Sequence, residues 1–381
     1  MNDNRYQQWL DDYRNGRLSR RRFVQLLGLG GAALGLAGPL AMHSGRAFAM
    51  VDQVRFDGWG GSVSEALREH AFDPYTQATG VQVVDGTFAG VDEFFTRVRT
   101  SAPGTFNVFH SSGVFDYVRY VDAELDVTLD EAKIPNLKFV LPRLMEPFRK
   151  LSNGGLSAVP YDYGTTGLAY NTEVISEDEI REKGAGILLD ETYAGRLGGI
   201  SDWRTQCWYG ALMTGQDPNN VEDLDAMWNA LREHRKLLRK YWSSGAELMS
   251  LLSSGEIVAT QGWSGRIATL QKEGFPIGYY DPPNTFAWQE AMFVLRGSPM
   301  QAVHELLNFM LEPEVAIAVA EAQGYPPSLD PTQVDLPESV TSLPAFDPNG
   351  DLAGRTFADP RYWNGVQPEW SKMFSRIERG F

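Results

Sequence analysis

The sequence predicts an α/β protein of two lobes, each a mixed β-sheet flanked by helices, and two observations carry that expectation. Of the 381 residues, 332 remain once an amino-terminal export segment ending at residue 49 is set aside, more than one core usually holds and enough for two. Within residues 255–280, a strand-length apolar run, a helical stretch and a second apolar run follow one another, which reads as a βαβ unit. Ligands of open α/β sheets gather at the carboxyl ends of the strands, so the residues at those ends are the first candidates for function.

The export segment is read from Ser19-Arg20-Arg21-Arg22-Phe23-Val24-Gln25, the weakly apolar run 26–40 and the small residues Ala47-Phe48-Ala49. This is the pattern of a cleaved twin-arginine signal, which places the mature protein in the periplasm; the apolar run is too short to span a bilayer. Gly28 to Ala33 imitates a dinucleotide fingerprint, but no strand precedes it and no βαβ unit surrounds it. The formal charge is −15, and residues 1–49 carry seven Arg against three acids, so the mature chain reaches −19. Nucleic acid and anionic membranes are poor partners for such a surface. Cys207 is the single cysteine, which excludes an intrachain disulfide, a zinc knuckle and an iron–sulfur site.

Taken in order, residues 51–59 form a first strand that closes on Gly58, leaving Trp59 at its carboxyl end. Ser62 or Ser64 caps the next helix, residues 80–84 give the second strand, 91–100 a helix and 106–109 a third strand whose end, His110-Ser111-Ser112, faces a cleft. His110 has no second histidine or carboxylate at metal-ligand spacing and reads as structural. Residues 116–147 are amphipathic flank, with no chemistry expected in them. Residues 158–164 are extended; Tyr161, Asp162 and Tyr163 alternate between two faces, so either the tyrosines or the acid meets a ligand. A polar helix spans 176–183, and a strand ends near Ser201-Asp202-Trp203-Arg204. Residues 221–242 show the clearest helical period, with Trp228 and Trp242 read as packing residues. After the βαβ unit come a strand at 292–295, helices at 300–311 and 313–323 with Gly324 as the stop, a loop-rich tail over 330–365 in which Trp363 is a candidate to reach the cleft, and a last helix at 370–377.

Trp263 stands at the carboxyl end of the first strand of the βαβ unit, with Trp288 and Glu290 beyond the proline-rich turn 281–284. Indole faces and a carboxylate across a cleft suit an organic cation. Four blocks, GEIVATQGWSG at 255–265, FPIGYYDPPNTFAWQE at 275–290, HELLNFMLEPEVAIAVAEAQGYPPS at 304–328 and AVPYDYGTTGLAYNTEVI at 158–175, resemble the family 1 extracellular solute-binding proteins of ABC importers, most closely the spermidine/putrescine-binding group.

That resemblance implies a type II periplasmic-binding-protein fold, with residues 50–160 and 282–328 in the first lobe and 161–281 and 329–381 in the second. It implies a ligand cage from Trp59, Ser111, Trp263, Trp288, Glu290 and Tyr325, with the second-lobe position, where the family holds an ammonium with a carboxylate, falling on Asp202 or, by a one-residue shift, on Trp203. Gly113 stands where the family has an aromatic residue behind the serine, and Phe115 is two residues late. The implied function is capture of a polyamine, putrescine or spermidine, by lobe closure and delivery to an ABC permease. The protein is expected as a monomer without cofactor or metal; the alternative ligand is a quaternary ammonium or betaine.

A twin-arginine-exported enzyme is the rival class. It lacks support: Gly262 to Arg266 misses the last glycine of a Gly-x-Ser-x-Gly elbow, there is no His-Glu-x-x-His, and the four histidines beyond residue 49 are widely separated. Tyr279 and Tyr280 point to opposite faces of their strand, which argues against a paired-tyrosine metal site.

Overall fold

The computed structural model describes residues 53–381 apart from Ala89, Asn153 and Gly354, so the twin-arginine segment lies outside the described residues. Among the described residues ten strands make one sheet: β1 (Gln53–Gly58), β2 (Gln82–Thr87), β3 (Val108–Ser112), β4 (Ala158–Asn171), β5 (Leu197–Ile200), β6 (Leu238–Trp242), β7 (Ala259–Trp263), β8 (Ile277–Tyr280), β9 (Phe286–Val294) and β10 (Thr356–Phe357). The spatial order is β2-β1-β3-β9-β4-β7-β5-β6, with β8 beside β4 and β10 beside β9. Parallel groups lie at the two ends, β2-β1-β3 and β7-β5-β6, and the antiparallel pair β9 and β4 joins them. Crossover helices cover the parallel groups, because a parallel connection must leave the sheet and return.

The apolar side chains fall into clusters that follow this division. One gathers β1, β3, the start of β4 up to Tyr161, the end of β9 from Ala291, and the helix Met300–Met310. Another holds Leu168, Trp208, Trp228, Phe286, Trp363 and Trp370, and a third packs Trp242 and Ile257 against Ile267. β4 and β9 therefore each pass from one core to another. The loop-rich stretch returns to the first side, where Leu329 and Val334 pack on Ala316, and Leu352 packs on Leu141 and Leu144.

Four elements differ from the sequence reading, each for a tertiary reason. The helical period over 221–242 continues through a change of conformation: the helix stops at Leu237, and Leu238–Trp242 pairs in parallel with β5. Trp242 is buried there, its indole donating to Thr260 Oγ1 at 2.9 Å. The last helix runs Pro360–Glu378, ten residues earlier than expected, capped by Asp359 and continuing through Pro368. β9 begins at Phe286, so Trp288 and Glu290 are strand residues two apart on one face. β7 and β8 are both antiparallel to β4 and so parallel to each other, with β4 between them.

Trp363 belongs to the core and does not line the cleft. It is 2% exposed, stacks on Trp208 at 5.5 Å, meets Trp370 edge-on at 5.6 Å, and donates to Asn219 Oδ1 at 3.0 Å. Trp363→Ala should cost about 3 to 5 kcal/mol of folding stability through the cavity it leaves. Urea unfolding followed by circular dichroism checks this.

Candidate ligand-binding site

A cavity of about 450 Å³ opens where β1, β7 and β9 bring their aromatic residues together. Trp59, just past Gly58 of β1, meets Phe88 edge-on at 4.9 Å. Trp263 ends β7, and its ring stands at 89° to Trp242, with centroids 5.0 Å apart. Ser264 does not cap the following helix; its hydroxyl accepts from the backbone N–H of Thr165 at 3.3 Å, tying β4 to this corner.

Trp288 and Tyr325 are set by missing side chains. A Cβ on Gly164, the β4 partner of Trp288, would come 2.5 Å from the indole, and a Cβ on Gly265 would come 2.5 Å from the phenol ring of Tyr325. Both rings therefore rest on bare backbone. They meet edge-on at 5.0 Å, and the Trp288 indole donates to Thr166 Oγ1 at 3.2 Å.

Glu290 lies opposite Ser112 of β3 on one side and Asp162 of β4 on the other. Its Oε1 accepts from the Ser112 hydroxyl at 3.1 Å, and its Oε2 is 3.0 Å from His110 Nδ1. A register shift between Pro160 and Asp162 leaves Tyr161 as the extra residue of a bulge, and bulges re-aim the side chains beside them. Asp162 consequently faces Glu290, whereas Tyr161 enters the first core and the Tyr163 hydroxyl accepts from Asp347 N–H at 3.2 Å. None of the three lines the cavity, so Asp162 acts only through Glu290.

Six expected site residues, Trp59, Asp202, Trp263, Trp288, Glu290 and Tyr325, line the cavity. Ser111 does not. The strand extends through Ser112, so alternation turns Ser112 to the wall and leaves Ser111 buried, its hydroxyl donating to Asp116 Oδ2 at 3.1 Å. Asp202 rather than Trp203 lines the cavity, but its carboxylate caps the helix Trp203–Met213, accepting from Thr205 N–H at 2.8 Å and Thr205 Oγ1 at 2.7 Å. The sequence reading missed three charged wall residues: Asp116, in a stretch with no chemistry expected, and the arginines Arg204 and Arg266. Arg266 sits in the first turn after a strand ending at the cleft, and that position was the available signal.

Burial governs the acids. Asp162 is 3% exposed, and desolvation first and the charge of Glu290 second raise its carboxyl well above the usual range. Asp116 is also pushed up by burial, with Arg204, Arg119 and Ser111 holding it back. The same desolvation lowers His110, against the pull of Glu290. His110, Asp162 and Glu290 each offer one ligand atom within 4.8 Å of the others, the single such grouping among the described residues. Spacing along the chain could not reveal it, because it forms across three strands. Of the polar neighbours of Glu290, the Ser112 hydroxyl is the one that donates to its carboxylate, and it ties Glu290 to β3 at the cavity wall.

Asp162 is protonated in both states at low pH. As pH rises past about 4 the unfolded chain releases that proton and the native one keeps it, so this group lowers stability by up to about 1.4 kcal/mol per pH unit until its folded value is passed. Asp162→Asn keeps the shape without the titration. Thermal midpoints measured between about pH 4 and pH 8 should fall less steeply for the variant than for the parent.

Residues 70–348 match the family described as bacterial extracellular solute-binding protein. The chain is 25% identical over 294 residues to the spermidine/putrescine-binding periplasmic protein 1 of Haemophilus influenzae, covering 76% of this chain and 80% of that protein. It is 30% identical over 144 residues to the gamma-aminobutyric acid-binding protein of Pseudomonas aeruginosa, 36% of this chain and 38% of that one. Among solved structures, the substrate-binding protein PotD of a Streptococcus pneumoniae spermidine/putrescine ABC transporter aligns with a TM-score of 0.69 at 20% identity, covering 86% of this chain and 99% of that one. The PotD lipoprotein of Treponema pallidum aligns at 0.70 and 18% identity, covering 86% and 100%. The chain belongs to the bacterial extracellular solute-binding proteins, binding components of ABC transporters and not enzymes, and has the type II periplasmic-binding-protein fold.

Proposed function

We propose that this protein is the exported receptor of an ABC importer and captures a small organic ammonium ion between two lobes before passing it to the permease. The observation that carries the reading is the Glu290 carboxylate at the wall of a cavity shared with the rings of Trp59, Trp263, Trp288 and Tyr325. A carboxylate beside indole faces attracts a cation twice, by charge and by ring quadrupole, and closure strengthens both by removing water. Division of the chain within β4 and β9 is supported by their passage between cores, and would let the lobes move about those two strands.

The names of the relatives make putrescine and spermidine the first ligands to test. A quaternary ammonium or betaine is a second reading, favoured by the four rings on the wall, Trp59, Trp263, Trp288 and Tyr325, which hold a cation with little need of hydrogen bonds. Ligand bound only to the native state stabilises it by about 2.7 kcal/mol at a hundredfold excess over Kd. In a thermal-shift panel of putrescine, spermidine, choline, betaines and sugars, amines should raise the midpoint, and Glu290→Gln should weaken that response. A response confined to sugars would end the ammonium reading.

Export is read as twin-arginine-dependent because of Arg20-Arg21-Arg22-Phe23 ahead of a weakly apolar run. Replacing Arg20 and Arg21 by Lys should retain precursor in the cytoplasm, since an ammonium does not reproduce the guanidinium fork. Immunoblots of cell fractions check this, and undiminished periplasmic accumulation would refute it.

A further inference from the structure

The cavity wall carries arginines as well as acids. Of the three acids on the wall, Asp116 is engaged by Arg119 at 3.2 Å, Arg204 at 3.5 Å and the Ser111 hydroxyl, and Asp202 gives one oxygen, Oδ2, to its helix cap. Glu290 stands among the rings, beside Trp288 and Tyr325, and is the acid placed to meet a cation there. Arg266 is the opposite case: it lines the cavity, and among the described residues no carboxylate lies within ion-pair distance of it. Its stem is held in place over Gly245, where an added Cβ would come 2.7 Å from Arg266 Nε. Arg266, Glu290 and Tyr325 line the same cavity, so opposite charges face one ligand volume.

An unpaired guanidinium in a partly desolvated wall repels a second ammonium and offers a planar fork to a carboxylate. Building on the ammonium-receptor reading, we propose that the ligand is an ammonium carboxylate whose cation is held by Glu290 and the indoles, and whose acid group is held by Arg266. A cavity of about 450 Å³ suits a molecule of this small size.

Calorimetry on the mature protein with γ-aminobutyrate, glycine betaine and carnitine, each beside its methyl ester, and with putrescine and spermidine, tests this. At least one free acid should bind, its ester about tenfold or more weaker, and Arg266→Gln should erase that difference. Arg266→Glu should reverse the selectivity and bind putrescine more tightly than the parent does. If either variant fails to keep the parent's thermal midpoint, the acid-to-ester comparison on the parent decides. Polyamines binding the parent more tightly than every acid, or esters binding as well as acids, would overturn the carboxylate while leaving the ammonium receptor intact. No binding of any amine would overturn both.

Discussion

The cleft depends on one half-buried carboxylate held between two antiparallel partners. Glu290 accepts from Ser112 and lies 3.0 Å from His110 across β3, and faces Asp162 across β4, at the middle of the sheet where the two parallel groups are joined. A carboxylate in that position would be costly without a donor, and the Ser112 hydroxyl supplies one. The cost of a second charge beside it falls on Asp162, which keeps its proton instead. Each surrounding feature serves this arrangement: the bulge at Tyr161 turns Asp162 inward, and the continuous run of β3 through Ser112 supplies the hydroxyl.

Much of the fold was legible because strand ends and helix starts are local signals. Trp59 after a glycine-terminated strand, Trp263 before a helix, and Tyr325 after the left-handed Gly324 could be placed from punctuation alone. The strand Leu238–Trp242 was hidden by an apolar spacing that suits a helix as well as an edge strand; its pairing with β5 decided the outcome. The first ten residues of the final helix were hidden by two prolines, one tolerated in the first turn and the other inside the helix.

The site was legible in its rings and illegible in its charges. Aromatic residues at strand ends announce a cleft, but whether an acid there is available depends on neighbours distant in sequence. Asp202 lines the wall as expected and also caps a helix, Asp116 looked like surface and is a buried wall residue, and His110 finds its carboxylates 52 and 180 residues away. Such pairings exist only in the register of β3, β9 and β4, which no spacing rule encodes.

Three wall side chains, Trp288, Tyr325 and Arg266, each lie against a glycine: Gly164, Gly265 and Gly245. The chain thus spends their rotameric freedom during folding, before any ligand arrives, so that association has little left to freeze. Selectivity in this cleft is accordingly exposed to change from behind. A methyl group at one of those glycines would tilt a ring or a guanidinium without altering any residue in contact with the bound molecule, so the determinants of specificity extend one layer deeper than the contact surface.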